Sequence, residues 1–523
     1  MNGSGKSQVM ELIAEVFAYL ERKQRSDFRV RERLGYEFRV VYQLSSAQFQ
    51  GRRRYVIDSR GAVQVEVYEA ARDVAVAPLH PPIVWHPVQG ITGLDDVVLP
   101  RLVGYASGLS ENLQRPFMRN ALQFHDVIRV RSRLKKELAQ PHVDELRTIE
   151  INRRYLTRHR GIFSSEGDAD SPELFRLREA DTVAPKSLFL DYDCAALLIA
   201  LLGMLPADDR NAIWREIPFR HPVRAIIRFD LRGQATAGDN ARDVQRLIEL
   251  AGPDRLTPLS ARASEEQFEL FQLDYLAGDI ELDFADPQVM RRIHENARSP
   301  SRWFAALYKL QLLGVGAWAG DVKKSLRRDG FQGHVKKPLK RELPLSVQEL
   351  WMSDGQSQVA LDDLSDGELQ LLLTLGAVRL FGDDETLFLF DEPETHLNPS
   401  WRTRFHLDFE RANQAHGSAQ ALVSSHSPFL VSSLPRQAIF SFKKTDQVTS
   451  MSTPDSETFG ASFELLIKRH FDLRAAISET AIQEIRGKLA DSNLSTGDKL
   501  AWLEGSVGDS LERSYLINKL RAE

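Results

Sequence analysis

Cysteine is almost missing. The chain of 523 residues has one, Cys194, which excludes a disulfide framework, a C-x-x-C pair and a cysteine-built zinc site. Long apolar runs are missing too: the longest, Cys194 to Leu205, is about a dozen residues against the roughly 20 needed to span a bilayer. No heptad pattern persists through three or four repeats, so long coiled-coil arms are excluded. Neither sign of charge dominates, with 68 Lys+Arg against 73 Asp+Glu and a net charge of −5. Such a chain does not coat nucleic acid wholesale, and any such binding must come from local patches. With no secretory signal visible at this start, the expectation is a cytoplasmic protein without a membrane span. What is present is ordinary for a globular chain: 42% hydrophobic and 27% charged residues, and a length suggesting about three domains.

The most informative stretch is Thr386-Leu387-Phe388-Leu389-Phe390-Asp391-Glu392-Pro393-Glu394-Thr395-His396-Leu397-Asn398-Pro399. A short apolar run without alternation predicts a strand covered on both faces, as in a parallel sheet flanked by helices. Ligands on such sheets gather at the carboxyl ends of the strands, where Asp391 and Glu392 emerge. The N-terminus, Asn2-Gly3-Ser4-Gly5-Lys6-Ser7, fits the end of G-x-x-x-x-G-K-[ST]. In that motif backbone N–H groups wrap phosphates, the Lys reaches the β/γ oxygens and the hydroxyl binds Mg²⁺. The first glycine of the pattern and the strand leading into it would fall before Met1, so the expectation is a phosphate loop cut short by a late start or a clipped chain. Val9, Leu12, Ile13, Val16, Phe17 and Leu20 follow at helical spacing. This places a helix N-terminus against the phosphates.

Two further segments have the same flavour. Leu364-Ser365-Asp366-Gly367-Glu368 satisfies the S-x-x-E capping box, and a capped helix N-terminus is also an anion site. Ala421-Leu422-Val423-Ser424-Ser425-His426-Ser427-Pro428 is a short apolar strand ending in hydroxyls and a His. Elsewhere the chain is less telling. Tyr36–Leu44, Arg54–Ile57 and Ala62–Tyr68 predict strands, the last two flanking the turn signal Asp58-Ser59-Arg60-Gly61. Residues 110–345 look mainly helical, with a hairpin about Ala277-Gly278 and another strand at Ala438–Phe442 farther on. Asp191-Tyr192-Asp193 has a metal-binding spacing but reads as a structural turn. Basic residues cluster at Arg129–Lys136 and at Lys323–Arg341; the second is the best DNA candidate, and a solvated or partner-binding loop is its alternative.

In the order phosphate loop, LSDGE, Asp-Glu, His, these segments resemble the RecF/SMC-like branch of ABC ATPases. The resemblance implies an α/β fold, an ABC-type (RecF-like) P-loop ATPase head with an antiparallel β arm and a mainly helical insertion. It divides the chain into residues 1–110 and 346–450 as two halves of the head, 111–345 as the insertion, and 451–523 as a helical tail. It implies that Asn2, Gly3, Ser4, Gly5, Lys6 and Ser7 bind ATP, with Ser7 and Asp391 on Mg²⁺. Glu392 would act as general base and His426 would sense the γ-phosphate. Ser365 and Gly367 would reach the nucleotide held by a second copy, in a nucleotide-sandwich homodimer. Gln114 or Gln123 would sense Mg²⁺ and nucleotide. LSDGELQ, LFLFDEPETHLNPSWR, SSHSPF and TFGASFE are similar to ATPase components of Septu-type and retron-associated anti-phage systems, whose members work beside a separate HNH nuclease. A DNA-repair ATPase of RecF type and a catalytically weak nucleotide-binding scaffold are the alternatives. No nuclease is evident in the chain itself.

Overall fold

The computed structural model describes residues 5–26, 34–45, 51–61, 63–70, 85–91, 93–107, 111–138, 144–159, 161–162, 182–214, 217–233, 240–296, 298–327, 339–382, 385–413, 419–445, 448–470 and 478–522. The chain forms two compact units, Gly3–Leu430 and Val431–Glu523. Helix α1 (Lys6–Arg25) opens the first. It buries Met10, Ala14, Phe17 and Leu20, whereas Leu12, expected on that face, is 48% exposed. Against it lies an antiparallel arm of β1 (Arg39–Ser45), β2 (Arg52–Asp58), β3 (Gln64–Ala70) and β4 (Trp85–Pro87), hydrogen-bonded in that order. Phe17 meets Tyr42 edge-on at 5.4 Å, and Tyr42 stacks on Tyr55 at 5.1 Å. The expected turn closes at Gly61, whose φ of +80° suits a residue without a Cβ.

The four-stranded sheet β13-β12-β5-β6 is parallel throughout: β5 is Arg101–Ala106, β6 Ser187–Leu190, β12 Thr386–Asp391 and β13 Gln420–Ser424. Its strands lack polar alternation because both faces are covered. Phe388 and Phe390 enter one core with Val103, Tyr105, Leu188 and Leu190. Leu389 enters the other, with Leu102, Phe189 and the α1 residues Phe17 and Leu20. Each fully buried aromatic of this kind contributes roughly 1.5–3 kcal/mol. A Cβ on Gly104 would lie 2.7 Å from the Phe117 ring and 3.0 Å from Phe189. Phe117 belongs to α2 (Glu111–Leu138), which packs across α1.

The far end of α1 is closed by named partners, as its orphan carbonyls require. Gln123 Nε2 donates to Arg22 O and Ser26 O, and Gly161 N–H donates to Arg25 O. Ser26 Oγ shares a 2.7 Å hydrogen bond with His159 Nδ1, just beyond α3 (Glu145–Arg158). Burial, and secondarily Arg158, hold the His159 pKa down to about 4.

The stretch expected to be mainly helical differs in two ways. It supplies β6 to the parallel sheet, followed by the buried helix α4 (Tyr192–Leu202). It also builds most of a five-stranded antiparallel sheet, β11-β10-β7-β9-β8, from β7 (His221–Asp230), β8 (Leu256–Pro258), β9 (Ala277–Asp283), β10 (Leu345–Ser353) and β11 (Gln358–Ala360). The predicted hairpin is corrected accordingly. Ala277 and Gly278 lie within β9, and Glu265–Phe271 is a helix because Ser264 and Gln267 form a capping box that starts it. Gly278 is needed because β8 presses close: a Cβ there would meet Leu256 Cδ1 at 2.8 Å.

In the second unit the strand expected at 438–442 is a 3₁₀ turn followed by β14 (Ser441–Thr445), which pairs only with β15 (Val448–Ser452) among the described residues. This unit begins at Val431. Gly460 N–H to Ser432 O at 2.9 Å and Thr458 Oγ1 to Leu434 O at 2.6 Å tie its first residues to the segment after β15. Short helices follow at Phe463–His470, Glu479–Ala490, Thr496–Ser506 and Leu511–Ala522, as expected of the tail. Among the described residues no helix is long and apolar enough to cross a membrane.

Two outcomes follow from this packing. Gly104→Val should cost about 1–3 kcal/mol by forcing the Phe117 and Phe189 rings apart, measured as a lower urea midpoint. For His159, the folded value near 4 lies below the ordinary value of 6.5. Between these values the unfolded chain binds a proton that the folded chain refuses. Its stability contribution is complete above pH 6.5 and is lost as pH falls towards 4, with a slope of up to about 1.4 kcal/mol per pH unit. His159→Gln should flatten that part of a urea-midpoint-versus-pH curve.

Candidate functional site

The N-terminus of α1 points at the carboxyl edge of the parallel sheet. Gly5 is its N-cap with φ +98°, no side chain caps it and no acidic residue lies in its first turn. The first N–H groups of a helix have no partners within the helix and carry its positive end, which makes this an anion site. From that turn Ser7 Oγ donates to Asp391 Oδ1 at 3.1 Å, and Lys6 Nζ lies 2.8 Å from His426 Nε2. Asp391 and Ser424 are register partners at the ends of β12 and β13, and Ser424 Oγ donates to the same Asp391 oxygen. Glu392 follows with φ +51°, a left-handed conformation that a side chain adopts at a cost of roughly 1–2 kcal/mol. Its N–H donates to Ser424 O at 3.1 Å, and its carbonyl accepts from Thr395 N–H at 3.2 Å, so the turn is held from both sides. The outcome is a Glu392 Oε1 3.3 Å from His426 Nε2.

The charges constrain one another. Burial lowers the Lys6 pKa, while Glu392, Asp391 and Glu394 pull it up. Burial, then the neighbouring Lys6 charge, lowers that of His426. The same His426 Nε2 thus lies between the Lys6 amine and the Glu392 carboxylate. Burial raises the Glu394 carboxyl, against the Ser425 hydroxyl that donates to it.

Ser7 Oγ and Asp391 Oδ1 are hard oxygen donors, and their 3.1 Å separation suits neighbouring corners of a Mg²⁺ octahedron, about 2.9 Å apart for bonds of 2.0–2.1 Å. Three protein carboxylates are not needed for Mg²⁺, which takes one or two alongside phosphate oxygens and water. The donor set thus fits a nucleotide-bound Mg²⁺.

The other expected residues are less directly placed. Ser365 accepts from Glu368 N–H at 3.3 Å as the N-cap of helix Asp366–Phe381. A Cβ on Gly367 would sit 2.8 Å from His396 O, so that glycine lets the helix start approach the segment after β12. Among the described residues no hydrogen bond or ion pair ties Ser365 or Gly367 to Lys6, Asp391 or His426. Asn2, Gly3 and Ser4 lie outside the described residues. Gln123 is corrected outright: it closes the opposite end of α1. Gln114 donates to Asp191 Oδ2 at 3.1 Å, and Asp191 caps α4 by accepting from Cys194 N–H, which is the structural turn read from the sequence. What sequence reasoning missed is the grip of Ser424 on Asp391 and of Ser425 on Glu394; the Ser-Ser pair before the His and the third carboxylate of DEPE were the available signals.

The basic clusters are partly used internally. Lys323 Nζ donates to Gly316 O at 2.7 Å, Arg327 pairs with the buried Asp126 at 2.7 Å, and Arg131 is fully buried. Residues 328–338 of the second cluster lie outside the described residues.

Part of the chain is similar to known proteins. The family model described as "AAA domain, putative AbiEii toxin, Type IV TA system" matches residues 131–432, more than half of the chain. The match contains Asp391, Glu392 and His426 but begins after Lys6 and Ser7. Protein ea59 of Escherichia phage lambda is 26% identical over 145 residues, or 28% of this chain and 27% of that protein. The match thus spans little more than a quarter of that relative.

Ser365→Ala removes the N-cap of helix Asp366–Phe381 and should lower stability by about 0.5–2 kcal/mol without nucleotide present, read from urea denaturation.

Proposed function

Because the chain belongs to the family of AAA domains described as putative AbiEii toxin, Type IV TA system, a P-loop ATPase family, we propose that Lys6, Ser7, Asp391, Glu392 and His426 form a site that binds and hydrolyses ATP. One observation carries this reading. Lys6 and His426, 420 residues apart in sequence, and Ser7 and Asp391, 384 apart, come within hydrogen-bond distance at the end where a helix N-terminus meets a parallel sheet.

Gly5 and the first turn of α1 receive the phosphates through backbone N–H groups. Lys6 exchanges His426 for β/γ oxygens, which frees the imidazole to face the terminal phosphate. Ser7 and Asp391 would hold Mg²⁺, whose chemistry when bound would be to neutralise charge on the phosphates. Glu392 orients the attacking water and takes its proton as the water oxygen bonds to the γ-phosphorus and the bond to the leaving ADP oxygen breaks. The work is positioning and charge neutralisation, without a covalent intermediate.

The finer reading is a RecF/SMC-like head acting as a dimeric switch. Lys6 is set among three carboxylates, so a triphosphate there needs further positive potential. The N-terminus of helix Asp366–Phe381 in a second copy, with Ser365 and Gly367, would supply it. In the same reading the switch controls a separate HNH-type nuclease in anti-phage defence. Of the cations described in Lys323–Arg341, Lys323 and Arg327 are engaged within the chain, which weakens the DNA-binding alternative.

Glu392→Gln should lower the turnover of ATP by about 10²–10⁴-fold while leaving its equilibrium binding intact, and Lys6→Ala should abolish binding. Turnover in Glu392→Gln equal to that of the unaltered chain removes Glu392 from the mechanism. Sedimentation of Glu392→Gln with ATP and Mg²⁺ should give twice the monomer mass; a monomer under those conditions overturns the sandwich.

A further inference from the structure

Beside the groups assigned to ATP lies a third carboxylate. Glu394 is only 4% exposed, and its Oε2 has no hydrogen-bond partner among the described residues. Its Oε1 accepts the hydroxyl of Ser425, and that hydroxyl oxygen in turn accepts the Ser427 N–H at 2.9 Å. The two residues flanking His426 are therefore linked through one serine oxygen to a carboxylate on the neighbouring strand's exit. A buried carboxylate with one unpartnered oxygen is costly to stability, and an apolar residue would avoid that cost.

We propose that Glu394 is a positioning residue for hydrolysis, holding His426 at its working distance from Glu392 through the Ser425 hydroxyl. The proposal rests on the ATPase reading above. Glu394 follows Glu392 by two residues, with Pro393 between them, and Ser425 precedes His426 directly. The bridge therefore joins the backbone that carries the general base to the backbone that carries the imidazole, and the 3.3 Å between Glu392 and His426 is set across it. Among the described residues the Asp391 side chain takes its hydroxyl bonds from Ser7 and from Ser424, the residue before Ser425, and not from the bridge. Loss of the bridge thus misplaces His426 while leaving the phosphate and Mg²⁺ groups in position. A displacement of about 1 Å at a reacting group can cost about 10²-fold in rate.

The test compares Glu394→Ala, Glu394→Gln, Ser425→Ala and the Glu394→Ala/Ser425→Ala double variant in the full chain. Glu394→Ala should lower kcat by about 10²-fold with the KM for ATP and equilibrium ATP binding little changed. Glu394→Gln, whose amide oxygen still accepts from Ser425, should restore most of the turnover. The double variant should be no worse than Glu394→Ala, because both remove one connection. A readout without turnover is amide exchange in nucleotide-free protein: Glu394→Ala should speed exchange at Ser427 and leave α1 unaffected, and Glu394→Gln should not. Unchanged kcat in Glu394→Ala overturns the proposal, as does a loss of ATP binding that matches the loss of turnover, since that is a general structural role. The Glu392→Gln control separates the two readings. If that control is inactive while Glu394→Ala is unaffected, only the positioning role falls; if it turns over ATP normally, the ATPase reading falls and takes the positioning role with it.

Discussion

The site depends on a buried carboxylate far from it. Glu21, 4% exposed, accepts from the backbone N–H groups of Lys186 and Ser187, from Ser187 Oγ and from Asn120 Nδ2. It thereby bolts α1 to the start of β6. The adjacent Arg22 binds Asn120 and Glu15, and Arg25 binds the carbonyls of Val183 and Ala184. Burial lowers the pKa of both arginines, so these charges are costly where they are. A hydrophobic replacement of the same volume would often be neutral or better for stability. What the network supplies is direction. Glu21 fixes the axis and rotation of a helix whose first turn lies about 22 Å away at 1.5 Å per residue, and that turn must deliver Lys6 and Ser7 to the ends of β12 and β13.

The sheet meets the helix with the same economy of placement. Asp391 and Ser424 sit at the ends of adjacent parallel strands in fixed register, so their relative positions follow from β12–β13 pairing rather than from loop conformation. Only Glu392 requires strain, and the hydrogen bonds of its N–H and carbonyl hold it there. With the helix end fixed by Glu21 and the strand ends fixed by pairing, two rigid elements meet and little is left to flexible loops.

This division explains what could be read from the chain. The apolar run ending in Asp391-Glu392 announced a strand buried on both faces, because Phe388 and Phe390 feed one core while Leu389 feeds the other. The helix after Lys6 announced itself by spacing, although Leu12 lies exposed because the true buried face follows Ala14 and Phe17. The antiparallel sheet of β7–β11 was not legible. Its strands pair residues far apart, such as Leu345 with Phe229, and local patterns carry no mark of such partners. The false hairpin about Ala277-Gly278 needed a strand before that turn, where the Ser264–Gln267 box starts a helix instead. Gln123 was misplaced for a related reason: a buried amide serving helix carbonyls and one serving a ligand look identical in sequence.

The convergence also has an electrostatic logic. Lys6 is drawn by three carboxylates, yet its nearest partner is an imidazole, and burial disfavours the charged form of both. A phosphate group satisfies Lys6 better than His426 can, since an anionic oxygen adds attraction between opposite charges that an imidazole does not offer. The carboxylates that would repel phosphate are the ones that attract a divalent cation, and they lie beside the Ser7 hydroxyl. An anion alone would meet Asp391 and Glu392 unshielded, and a cation alone would meet Lys6. Only the two together balance the site, and the metal–nucleotide complex of the proposed function would bring both.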